Sequence, residues 1–504
     1  MTFQRSSGIL LHPTSFPGPY GVGDLGPYAY RFIDFLAASG CKLWQVLPLG
    51  PTGYGDSPYQ CFSAFAGNPY LVSPDSLLAL GLLTQSDLSD MPAWSPHQVD
   101  FGGLYRWKPA LLEKAYTRFE SLPGGALRAL RAEFDAFRLT NASWLEDFAL
   151  FMALKESNGG APWNQWPAPL RMREPAALAE ARTSLAVRIS GIAFSQFLFF
   201  RQWNALRDYA HTKGIQIIGD IPIFVAMDSA DVWSHPDLFT LDKAGKPTVV
   251  AGVPPDYFSS TGQLWGNPLY RWDVHKRVRA GSPRPYAWWI ERVSATLKMV
   301  DIVRIDHFRG FANYWEIPGK ALTAETGRWV PGPGMDLFHA IQKALGADLP
   351  IIAEDLGIIT PDVVLLRDTL KLPGMKILQF AFSDPTNLYL PHHHVQNCVI
   401  YTGTHDNDTS CGWYSAAGEK ESDFVRRYLR VDGSDIAWDL LRAAWGSVAV
   451  FAVAPIQDFL SLGTAARMNL PGRPDGNWTW RMSESDLSEA LQDKIQALNT
   501  LYAR

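Results

Sequence analysis

Three segments of this chain each close an apolar run with carboxylates. Val300-Asp-Ile-Val-Arg304-Ile-Asp306 leads into His307, Pro350-Ile-Ile-Ala-Glu354 into Asp355, and Val399-Ile-Tyr-Thr-Gly-Thr-His405 into Asp406. Arg304 and Asp306 stand two residues apart, so on a strand their side chains share a face. A guanidinium there lowers the aspartate's pKa and favours the ionised form that a nucleophile needs. A buried ion pair with no catalytic role has the same spelling. Glu354 leaves its apolar run partly desolvated, which raises a carboxyl pKa and suits a general acid working near neutrality. The ordinary alternative is a helix cap, a part that Asp355 also fits. His405 and Asp406 add a hydrogen-bond donor and a third acid. No second histidine stands at ligand spacing from His405, and the run His392-His393-His394 reads as a solvated loop, so no metal site is expected. Two or three carboxylates around one bond is the arrangement that cleaves a glycosidic linkage.

Acids at the ends of successive strands converge when the strands are parallel and close into a barrel. Eight short apolar, β-branched runs bounded by turn residues read as those strands: 8–11, 43–47, 216–220, 302–306, 351–354, 376–380, 399–402 and 449–453. Helical spacing intervenes at 30–38, 194–209 and 361–370, and strands alternating with helices indicate a parallel sheet. The expected class is therefore α/β, a (β/α)8 barrel in a single catalytic domain spanning 1–504. Two insertions stand out, a helical, Trp-rich one at about 50–200 and a lid loop at 224–284 rich in Pro, Gly, Asp and aromatics. A third irregular stretch is 469–480. The chain closes on a helical stripe of Leu487, Leu491, Ile495, Leu498 and Leu501, read as packing.

The chain carries 19 Trp, 18 Tyr and 27 Phe. Most belong in a large core, but Trp163, Trp166, Tyr257, Trp265, Tyr270, Trp329 and Trp478 lie among loop-forming residues. They are read as exposed rings of a binding surface, on which the apolar C–H faces of sugars can lie. A net charge of −5 gives no basic field for nucleic acid or anionic membrane. No run of about 18 apolar residues suggests a spanning helix, and the first residues lack the apolar core of a signal peptide. Four scattered cysteines with no Cys-x-x-Cys fit a reducing cytoplasm.

Seven blocks then carry a resemblance along the chain: Leu11-His-Pro-Thr-Ser15, Gly53-Tyr-Gly-Asp-Ser-Pro-Tyr59, Gly219-Asp-Ile-Pro-Ile223, Gly262-Gln-Leu-Trp-Gly-Asn-Pro-Leu-Tyr270, Arg304-Ile-Asp-His-Phe-Arg-Gly310, Ala353-Glu-Asp-Leu-Gly357 and Gly403-Thr-His-Asp-Asn-Asp408. In that order they resemble the amylomaltase family of 4-α-glucanotransferases, glycoside hydrolase family 77, related to the α-amylases. The resemblance implies transfer of a 1,4-α-glucan segment to the 4-hydroxyl of an acceptor glucose or glucan, with retention, through a covalent glucosyl-aspartate. It implies that Asp306 is the nucleophile, Glu354 the acid/base and Asp406 the transition-state stabiliser. Tyr59, Asp220, Arg304, His307 and His405 would surround the sugar being transferred, and Gln263 and Trp265 would serve the acceptor side. Asp384 and Asn469 match less distinctive blocks as substrate contacts, and Tyr54 resembles a tyrosine of a second, surface glucan site.

By the same resemblance the partners are malto-oligosaccharides, amylose and starch- or glycogen-derived glucans. Nucleic acid, membrane and an obligatory protein partner are not expected, and neither a metal nor an organic cofactor is needed. The C-terminal β-sandwich common among α-amylases has no room after the eighth strand. Three competing readings use some of the same residues. A plain α-glucan hydrolase would give the intermediate to water. A catalytically silent glucan binder leaves the Arg304/Asp306 pair opposite a separate glutamate unexplained. A nicotinamide-dependent barrel reductase lacks any Gly-x-Gly-x-x-Gly after a strand.

Overall fold

The computed structural model describes residues 3–504 apart from 123–124, 126, 256–258, 279–282 and 474. Tyr257, one of the candidate binding aromatics, lies outside the described residues. Among the described residues twelve strands form in two sheets. In chain order they are β1 (Ser6–Leu10), β2 (Leu43–Gln45), β3 (Gln216–Pro222), β4 (Val249–Val253), β5 (Gln263–Pro268), β6 (Ile302–Asp306), β7 (Asn313–Pro318), β8 (Arg328–Pro331), β9 (Ile351–Ala353), β10 (Gly374–Ile377), β11 (Cys398–Tyr401) and β12 (Phe451–Pro455).

Eight of these run parallel in the order β10-β11-β12-β1-β2-β3-β6-β9. The two ends of this sheet meet where the Ala353 amide donates to the Pro373 carbonyl at 2.9 Å, so the sheet curls into a nearly closed barrel. Side-chain parity sorts the strands into two cores. Leu43, Ile218, Ile302, Ile352, Met375, Val399 and Phe451 pack together inside the barrel. Their neighbours Trp44, Ile217, Val303, Ile351, Ile400 and Ala452 face the surrounding helices. Truncating one of these fully buried isoleucines to alanine is expected to cost about 2–5 kcal/mol.

The barrel strands fall where the apolar runs placed them, with two corrections. Residues 378–380 form a 3-10 turn, Leu378–Phe380, rather than strand, and the last strand begins at Phe451. Asp355 caps no helix. Its carboxylate accepts the Met375 amide at 2.7 Å and an Arg367 hydrogen bond, bridging β9 to β10 across the seam, while Thr360 occupies the cap of the helix Pro361–Thr369. Gly374 is required there, because a Cβ would lie 2.5 Å from the Asp355 carboxylate.

The insertion after β2 is helical, built around Phe101–Ser121, Arg128–Thr140 and Ala142–Ser157. Its last helix, Ala186–Thr212, runs on past residue 200 into the barrel's own helical layer, where Trp203 donates to the Met299 carbonyl at 2.9 Å. Trp163 and Trp166 are 2 % exposed and sit in this region's core, so they are not surface rings. Tyr270 and Trp478 are buried as well, whereas Trp329 is exposed. His394 is also buried rather than solvated. The C-terminal helix is Glu489–Leu501; Ile495 and Leu498 pack inward, but Leu501 is exposed.

The segment read as a lid loop is partly sheet. β4 and β5 join β7 and β8 in an antiparallel sheet of order β5-β4-β7-β8. Among the described residues no single helix is long and apolar enough to cross a membrane.

Candidate active site

Parity aims the site. Asp220 stands two residues beyond inward-facing Ile218, Arg304 and Asp306 two and four beyond Ile302, and Glu354 two beyond Ile352. All four side chains therefore emerge into the barrel mouth at the carboxyl ends of neighbouring strands, the face on which such barrels build their sites. Arg304 forks between two of the acids, with Nη1 2.6 Å from Asp220 Oδ2 and Nη2 3.0 Å from Asp306 Oδ1. The Tyr59 hydroxyl donates to the same Asp220 oxygen at 2.9 Å. Removing Arg304 would leave the buried Asp220 without its cation, a change that costs about 3–5 kcal/mol.

Glu354 is held differently. Its Oε2 accepts the His307 amide at 2.7 Å and its Oε1 the Leu356 amide at 2.8 Å. His307 adopts a left-handed conformation with φ 52°, an uncommon state for a non-glycine residue, in the turn that presents this amide. Burial, reinforced by the nearby Asp306 charge and opposed by Arg304, pushes the Glu354 carboxyl up to about 7. Burial also raises Asp306, with Arg304 opposing; the guanidinium tempers this pKa but does not bring it below the ordinary value, contrary to the expectation from spacing. Asp220 is likewise pushed up to about 7 by burial against the opposition of Arg304. One guanidinium serves these acids. Asp220 and Asp306 touch it, which favours their ionised forms, whereas Glu354 has no cation in contact and burial raises it against the two amides that oppose the shift. Asp306 keeps 30 % of its side chain exposed, enough to be reached.

Asp406 follows β11 on the opposite wall. Its Oδ1 accepts Asn469 Nδ2 at 2.6 Å and lies 3.4 Å from His405 Nε2. His405 stacks on Tyr59 with ring centroids 5.1 Å apart, and Trp478 packs against both rings. Burial lowers the pKa of His405, and burial pushes His307 down to about 3, so both imidazoles are neutral near pH 7. His307 Nε2 and Asp220 Oδ1 are buried without a protein partner, free to meet hydroxyl groups of a ligand.

On the other side Trp265 of β5 meets the His307 ring edge-on at 4.8 Å and donates to Gln263 Oε1 at 3.1 Å. Asp384 is held in its own turn by Ser383 and Thr386, and Tyr54 is 79 % exposed on the surface. One residue that sequence reading missed is Arg467. Its guanidinium donates to the Asp406 carbonyl at 2.6 Å and the Asn469 carbonyl at 2.7 Å, fixing both on one scaffold. An isolated arginine in an irregular stretch carries no spacing signal. Among the described residues no group of three or more His, Cys, Asp or Glu side chains is arranged to hold a metal ion.

Known proteins resemble this chain over nearly its whole length. The glycoside hydrolase 77 model, described as 4-alpha-glucanotransferase, matches residues 11–488. A 4-alpha-glucanotransferase of Thermus thermophilus is 53 % identical over 99 % of both chains, and one from Synechocystis is 48 % identical over 100 % of this chain and 99 % of its own. The solved amylomaltase of Streptococcus agalactiae in complex with acarbose superposes with a TM-score of 0.94 at 42 % identity, covering 99 % of this chain and 100 % of that one.

Proposed function

The chain belongs to the 4-alpha-glucanotransferase family, glycoside hydrolase family 77, and we propose that its transfer reaction runs through Asp306, Glu354 and Asp406 by retaining double displacement. Asp306 attacks the anomeric carbon while Glu354 gives its proton to the departing glycosidic oxygen. A covalent glucosyl-aspartate forms and the leaving glucan diffuses away. Glu354, now ionised, takes the proton from an acceptor's 4-hydroxyl, and that oxygen displaces Asp306 with net retention. Asp406 accepts hydrogen bonds from sugar hydroxyls that strengthen as positive charge develops on the ring. Tyr59, Asp220, Arg304, His307 and His405 hold the sugar being transferred. Asn469 acts on it through Asp406, whose carboxylate it orients.

Substrates in this reading are malto-oligosaccharides, amylose and starch- or glycogen-derived glucans; Gln263 and Trp265 receive the acceptor. Asp384 is a more distant substrate contact, and exposed Tyr54 suits a surface glucan site. A reducing cytoplasm suits the four free cysteines, and fractionation of the source cells would check that location. The observation that carries the mechanism is the division of labour around Arg304: Asp306 paired with the cation, Glu354 on backbone amides and raised to about 7. Incubation with maltotriose tests the reading. Transfer gives glucose and oligomers longer than the substrate. Shorter sugars alone would make the protein a hydrolase.

A further inference from the structure

The β5-β4-β7-β8 sheet has two unlike faces. On one, Trp265 and Tyr314 pack against Phe224, each with ring centroids 6.4 Å from it. The other carries a cross-strand row set by the pairs Trp329–Trp315, Trp315–Gly252 and Gly252–Leu264. Part of that face is covered, since Ala324 is buried against Val250 and Ile317, and Trp315 donates to the Ala324 carbonyl at 2.9 Å. Trp329 is not covered. It is 41 % exposed, lies edge-on to Trp315 at 5.2 Å, and has the Arg309 guanidinium 4.0 Å from its ring centre.

Arg309 is itself buried and stands three residues beyond Asp306. It donates to the side chain of Asn313 at the start of β7 and to the carbonyl of Ile358, in the segment that leaves Glu354. Trp329 is thus fixed, through one side chain, to the segment that carries the acid/base. An acid/base works on the oxygen that leaves and the oxygen that arrives, so groups anchored to its segment lie towards the acceptor. An indole already immobilised by Trp315 and Arg309 has little conformational freedom left to lose on binding.

We infer that Trp329 is a platform for an outer acceptor sugar, a ring of the 1,4-α-glucan one or more units beyond the glucose whose 4-hydroxyl attacks. This rests on the transfer reaction proposed above. The ring also shields Arg309, and the experiment separates the two roles. Trp329→Leu keeps apolar cover over the guanidinium but removes the flat surface; Trp329→Phe keeps a flat surface. Initial rates are measured for transfer from amylose to labelled glucose, maltose, maltotriose and maltotetraose.

For Trp329→Leu, kcat/KM with the longer acceptors should fall about fivefold, mainly through KM, the scale of one aromatic contact. Transfer to glucose should stay within about twofold, as at a position remote from the central contacts. Trp329→Phe should restore most of the loss. A loss equal for all four acceptors would assign the ring to shielding Arg309 and overturn the inference while leaving transfer intact. No change with any acceptor would overturn it equally. A wild-type protein that only shortened amylose would overturn the transfer reading and this inference together.

Discussion

The barrel mouth and the four-stranded sheet meet where Trp265 touches His307, yet they are built by opposite rules. In the mouth, Arg304, Asp220 and Glu354 are each less than a tenth exposed, and every acid is held by a guanidinium, a phenol, an amide side chain or backbone amides. In the sheet, the edge strands leave Leu264 and Trp329 about two-fifths open. Charge development at a bond is stabilised best by fixed dipoles in a dry site. Choosing among acceptors needs surface that a second substrate can still reach. With bond chemistry proposed for the barrel and acceptor choice for the sheet, substitutions in the two regions should fail in different ways.

The largest effect is expected in the mouth. Asp306→Asn preserves size and can still accept from Arg304, so the far-UV circular dichroism should be unchanged while kcat falls by at least about 10³-fold. Substantial remaining turnover would move the nucleophile to another acid, and Asp220, on the same guanidinium, would be the first to examine. The second effect is a pH limb. In the proposed mechanism Glu354 carries its proton into the first step, and with its pKa raised to about 7 it loses that proton as pH rises further. kcat/KM should therefore fall about tenfold per pH unit on the alkaline side of neutrality. Trp329→Leu should leave this limb in place, and a limb that moved with it would break the separation between regions.

The same contrast governs what could be read without coordinates. Barrel strands are buried on both faces, so they appear as unbroken apolar runs, and the acids at their ends follow from parity. β6 matches its predicted span of 302–306, and the inward set ending in Asp306 needs only the period of two. β4, β5, β7 and β8 are not legible as one sheet because Gly252 and Gly266 interrupt the pattern of the first pair, and nothing local joins β4 to β7 across more than 50 residues. Trp163 and Trp166 were misread for a related reason. Gly, Pro and Asn around them mark turns, but the turns are roofed by the helical insertion, and Trp163 donates to the Met227 carbonyl at 2.7 Å. Asp355 was legible as an acid but not as a seam brace, since its partners lie 12 and 20 residues away.

A smaller effect than that of the acids should come from Trp265, and it bears most directly on transfer against hydrolysis. A glucosyl-aspartate faces water at very high concentration, so transfer wins where water is excluded or badly placed. Trp265 belongs to the inner face of the sheet, between Phe224 and His307, the residue whose amide holds Glu354. Its indole therefore covers the approach to the base that must activate the incoming oxygen. Gly266, with φ 77°, supplies the left-handed backbone conformation that follows Trp265 in β5. Trp265→Ala removes the cover and leaves the acids, Arg304 and the barrel core untouched. The ratio of reducing-end release to oligomer exchange on maltotriose should then rise about three- to tenfold, as expected for loss of water exclusion rather than of a catalytic group. Because the cover also contributes to the burial that raises Glu354, the alkaline limb should move toward lower pH in the same variant. An unchanged ratio would shift acceptor selection to the 469–480 segment, where Asn469 and Trp478 press on Asp406 and His405 from the other wall.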